Sequence, residues 1–80
     1  MNEKIKTQLR VYLDLKLRLC KAYMQEQDFI AAKTVWQQAI GAVEFTSIYP
    51  NAGLSAEIDV MWEMDYQDAF EKTLFPEVGE

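Results

Sequence analysis

Apolar positions recur along this chain in three stretches with different rhythms. From Val11 to Leu19 every second residue is aliphatic: Val11, Leu13, Leu15, Leu17 and Leu19. That alternation is the pattern of a half-buried strand. The apolar pattern nevertheless runs on from Ile5 to Met24 without Gly or Pro, far beyond a usual strand of about five or six residues. Leu, Lys, Arg and Gln are strong helix formers, and no other stretch offers itself as a pairing strand. The stretch is therefore read as a helix over about 3–25. At about 100° per residue, Leu13, Leu17 and Met24 form one flank and Val11, Leu15 and Ala22 another. Leu19, Tyr12 and Tyr23 lie between them. The apolar arc spans roughly 240°, more than the stripe of about 100° that one neighbouring helix covers. This helix needs two or more neighbours.

The second stretch follows Asp28, a good N-cap residue. Phe29, Ala32, Val35, Trp36, Ala39, Ile40 and Val43 share one helical stripe, with Lys33, Gln37, Gln38 and Glu44 opposite, which predicts a helix over 28–48. Pro50, Asn51, Ala52 and Gly53 form a turn cluster. The third stretch starts at Ser55, an N-cap candidate with Glu57 in the first turn. Ile58, Trp62, Tyr66, Ala69, Phe70 and Thr73 form its apolar face, predicting a helix over 55–75 that Pro76 closes. The fold class is all-α: a three-helix bundle built on an antiparallel hairpin, with the third helix packed on it. The chain reads as a single helical domain over 1–76 followed by a short acidic tail at 77–80.

Around Asp28 the spacing carries a resemblance. Asp28, Phe29, Ala32, Trp36, Ala39 and Ile40 resemble the second helix of a tetratricopeptide repeat. Leu19, Cys20 and Tyr23 fall where that repeat's first helix carries its Leu, Gly and Tyr. The resemblance covers about 34 residues, the length of one repeat, over roughly 13–46. Gln27 stands where the family has its turn glycine, and Cys20 where it has a helix-packing glycine. The resemblance implies a helix-turn-helix hairpin whose small residues let the two helices approach and whose aromatics fill the gaps.

Charge changes the picture more than composition does. The net charge is −5, which argues against direct nucleic-acid binding. Residues 1–33 carry a net +3 and residues 34–80 a net −8, so the first helix and the third should attract, within the chain or between copies. Glu57, Glu63, Asp65, Asp68 and Glu71 form a candidate acidic contact face. Lys16 sits inside the apolar arc, where its stem can pack while its amine snorkels or meets a carboxylate of the third helix. The basic residues Lys4, Lys6 and Arg10 are a weak signal for an acidic partner.

Candidate chemistry is sparse. The chain has no histidine, which removes the commonest general base and zinc ligand. Cys20 is the one cysteine and reads as a small packed hydrophobe. No acidic loop containing glycine offers a calcium site. No cofactor, metal or catalytic residue is expected, and the chain is not read as an enzyme. With no apolar run of about 18 residues, no signal-peptide core and no cysteine pair, the expectation is a cytoplasmic protein without membrane contact. Trp36 and Trp62 are expected in the main core.

These features predict a small helical protein-interaction module, an adaptor or regulator that self-associates as a homodimer. The candidate interaction surface is Val11, Leu13, Leu15, Leu17 and Met24 on the first helix. One flank should be taken by the third helix and the other left for a partner. The alternative is an acidic regulator that binds a basic or nucleic-acid-binding protein through its third helix.

Overall fold

A computed structural model describes residues 2–48 and 55–76. Three helices and no strand are found among them. Helix α1 spans Asn2–Gln25 and α2 spans Phe29–Ile48. The third helix runs over 55–74 in three pieces: α3 (Ser55–Met61), a π-helical segment (Trp62–Gln67) and α4 (Asp68–Leu74). The alternating stretch 11–19 is helical throughout. The turn expected at 50–53, the capping role of Ser55 and the tail at 77–80 lie outside the described residues and side chains.

The α1–α2 hairpin is closed by a pair of caps. Asp28 N–H donates to the Tyr23 carbonyl at 2.9 Å and Gln27 N–H to the Met24 carbonyl at 3.0 Å. This is the Schellman arrangement, which needs a left-handed residue between helix and turn. Gln27 supplies it at φ 63°, a conformation that glycine adopts without strain and that most L-residues adopt only at a cost. Asp28 then caps α2, its Oδ1 accepting from Ala31 N–H at 3.2 Å.

The core joins all three helices. Leu9, Leu13 and Cys20 of α1 meet Ala32, Val35, Ala39 and Val43 of α2, with Ile58, Met61, Tyr66, Phe70 and Leu74 of the third helix. Cys20 Sγ lies 3.7 Å from the Ala32 carbonyl oxygen, a close approach that two small residues permit.

The third helix departs from the expected face. Its buried residues are 58, 61, 66, 70 and 74. The step from Met61 to Tyr66 is five residues, where a regular α-helix takes three or four. The π-helical segment spans that step. A turn with i→i+5 bonding absorbs one extra residue, so Tyr66, Phe70 and Leu74 stay in phase with Ile58 and Met61. Met61 therefore takes the core position expected of Trp62. Trp62 is half-buried and stacks on Phe70 at 5.6 Å between ring centroids. Trp36 is also half-buried and meets Phe75 edge-on at 6.0 Å. Both tryptophans pack against the core without belonging to its buried set. Phe29, expected on the α2 stripe, is exposed because the core stripe centres on Ala32 and Ala39 and turns it outward.

Candidate functional site

The two flanks of α1 have different fates. Leu13 is fully buried, and Leu17 and Met24 pack against the core. Val11 and Leu15 remain 65% and 49% exposed, and Ala22 beside them is exposed. At about 100° per residue, Lys4 and Arg18 lie on this uncovered flank as well. The expected surface of five residues thus divides: Leu13, Leu17 and Met24 belong to the packed side, Val11 and Leu15 to the open one.

Polar contacts hold the third helix to its side of α1. Arg10 Nη2 pairs with Asp65 Oδ2 at 2.9 Å, and Lys6 Nζ with Glu57 Oε1 at 3.4 Å. The Tyr66 hydroxyl donates to Asp14 Oδ1 at 2.8 Å. Tyr66 is buried, and desolvation together with the Asp14 carboxylate pushes its pKa up from 10 to about 12. The hydrogen bond from Arg10 to Asp65 favours the charged guanidinium. Two ion pairs between the basic first helix and the acidic third thus form within one chain.

This pairing breaks up the candidate acidic face. Glu57 and Asp65 point to cations of α1. Asp68 pairs with Lys72 one turn on at 3.1 Å, and Glu71 accepts from Gln67 Nε2 at 3.3 Å. Glu63 is exposed. Lys16 reaches α2 and not a carboxylate of the third helix: its Nζ donates to Gln38 Oε1 at 2.7 Å and stands 5.1 Å from the Tyr12 ring centre.

A groove of about 400 Å³ lies between α1 and the start of the third helix, lined by Lys6, Arg10, Ala56, Val60, Met64 and Asp65, with Glu57 and Met61. Its cations are those already closed onto Glu57 and Asp65, so it presents an apolar floor between two neutralised pairs and no anion site. Cys20 is sealed in the core and its thiol is pushed up by burial, the opposite of an activated nucleophile. Among the described residues, no group of three or more His, Cys, Asp or Glu could hold a metal ion. No helix among them is long and apolar enough to cross a membrane. The π-helical segment was signalled by the spacing 58, 61, 66, 70, 74, but that spacing is visible only once Met61 is preferred to Trp62. No protein-family model, curated protein or solved structure matches this chain.

Proposed function

We propose that the chain is a non-enzymatic helical interaction module, an adaptor or regulator, that self-associates through the uncovered flank of α1. The observation that carries this reading is the exposure of Val11 and Leu15 on the helix whose apolar arc needs most neighbours. A two-fold axis across that flank buries the same residues on both copies. The absence of histidine and the sealed thiol support a role without catalysis. The acidic-regulator alternative loses support, because Glu57, Asp65 and Asp68 already have cationic partners in the chain.

Two charge substitutions on opposite flanks of α1 test the reading. Leu15→Glu should lower the sedimenting mass while leaving helicity intact. Leu17→Glu, on the packed side, should lower helicity itself. If the unaltered chain sediments as a 9.3 kDa monomer at micromolar concentration, self-association is refuted and the flank becomes a docking site for a different protein. Equal masses for the unaltered and Leu15→Glu chains would remove this flank from the seam.

A further inference from the structure

The outward face of α2 is unlike the rest of the surface. Of the 20 residues of α2 only Lys33 and Glu44 are charged, whereas α1 carries eight charges in 24. Opposite the buried stripe, Ile30, Thr34, Gln37, Gly41 and Phe45 recur every three or four residues, and all five are exposed. Ile30 is 82% exposed. A helix face turned to water normally carries charge, and this one is uncharged along its midline. Glycine in a helix interior weakens the helix relative to alanine. At Gly41 nothing among the described residues lies within 4 Å of where a Cβ would stand. Among the described residues there is therefore no packing reason for a glycine there, but a helix approaching from outside would have one.

We infer that a second copy of this chain packs on this face, α2 antiparallel to α2, with its closest approach at Gly41. The direction follows from the two charges. In a parallel pair Lys33 meets Lys33 and Glu44 meets Glu44, which repels. In an antiparallel pair with its two-fold axis near residue 39, Lys33 comes level with Glu44 of the second copy to within about one residue, or about 1.5 Å along the axis. The same register sets Gln37 opposite Gly41 of the second copy, so the longer side chain lies over the gap left by the shorter. A two-fold contact of this kind is self-complementary. The face lies on α2 and shares no residue with the Val11 and Leu15 flank, so it stands or falls independently of that seam.

The test uses register-specific cross-linking on a Cys20→Ala background. Chains carrying Gln37→Cys and chains carrying Gly41→Cys are oxidised separately and as a mixture, one of them bearing a mass tag. A disulfide needs Cα atoms within about 7 Å. The mixture should give a reducible heterodimer, and neither chain alone should cross-link comparably. Adding Leu15→Glu to both chains should leave the heterodimer in place. Self-cross-linking of each variant as readily as the mixture, or no heterodimer in either background, overturns the inference. A Gly41→Glu variant guards against misfolding, since the single chain has room for the side chain. At dilutions where both are monomeric it should melt no lower than its parent, and in the Leu15→Glu background it should abolish the remaining self-association. A Leu15→Glu chain whose self-association survives Gly41→Glu unchanged also overturns it.

Discussion

Removing one exposed residue from the middle of the third helix should leave the fold standing. Glu63 lies inside the π-helical segment and is exposed. With Glu63 deleted, the core positions Ile58, Met61, Tyr66, Phe70 and Leu74 are spaced 3, 4, 4 and 4 residues apart, which a regular α-helix satisfies. Without either the π segment or the deletion, everything after Met61 would be rotated by about 100°. Tyr66, Phe70 and Leu74 would leave the core, and burying each is worth about 1.5–3 kcal/mol, or roughly 4–9 kcal/mol together as an upper bound. The π segment itself interrupts the regular ladder at a cost on the order of one backbone hydrogen bond, about 1 kcal/mol. Holding the phase therefore outweighs the irregularity severalfold. Urea unfolding followed by far-UV circular dichroism should place the Glu63 deletion within about 1 kcal/mol of the parent, including any loss of the exposed Arg10–Asp65 pair. Deleting the equally exposed Gln37 from α2 should swing Ala39 and Val43 out of phase with Ala32 and Val35. A chain of this length has roughly 4–12 kcal/mol of stability, and the Gln37 deletion should remove most of it. Equal destabilisation by the two deletions would refute the insertion account of the π segment.

Two further outcomes follow from the same geometry. Gln27→Gly should raise the melting temperature by a few degrees: relief of left-handed strain worth about 1–2 kcal/mol exceeds the extra unfolded-chain freedom of about 0.4–1 kcal/mol, and a lower melting temperature would show that Gln27 is not strained. Because the folded-state pKa of Tyr66 is raised to about 12 from 10, its contribution is complete below pH 10 and is lost as pH rises through 12. Stability measured across that window should therefore fall more steeply for the parent than for Tyr66→Phe, and parallel slopes would contradict the buried hydrogen bond to Asp14.

The end of α1 and the start of α2 were legible because Asp28 both stops one pattern and caps the next. The strand-like alternation of 11–19 was resolved by length and propensity, and its consequence, a helix greasy on two flanks, survives in the structure. The open flank was not legible, since Leu13, Leu17 and Met24 match Val11, Leu15 and Ala22 in apolar character. What separates them is tertiary: the third helix lies on the Leu13 side of α1, where Asp65 and Tyr66 reach Arg10 and Asp14. The π segment escaped a wheel with a uniform turn angle because such a wheel spreads one inserted residue over the whole face. That error set Trp62 at the centre of the face and left Met61 out.

The ion pairs and the tyrosine bond that fasten the third helix also bear on the order in which the molecule assembles. Cys20 and Ala32 meet across 12 residues of chain, whereas Arg10 and Asp65 meet across 55. Closing the longer loop costs about two doublings of length, on the order of 1.3 kcal/mol more at about 0.6 kcal/mol each. The α1–α2 hairpin is the local unit that can form early, and the third helix is the part that arrives later over a longer entropic distance. The same asymmetry predicts that the third helix opens first in the folded molecule, which hydrogen exchange would read as amides of 55–74 exchanging ahead of those in the hairpin. Such an opening would strip Ile58, Met61, Tyr66, Phe70 and Leu74 from the core that Leu13, Leu17 and Met24 pack against, and so turn the packed flank of α1 into a transient counterpart of the exposed one.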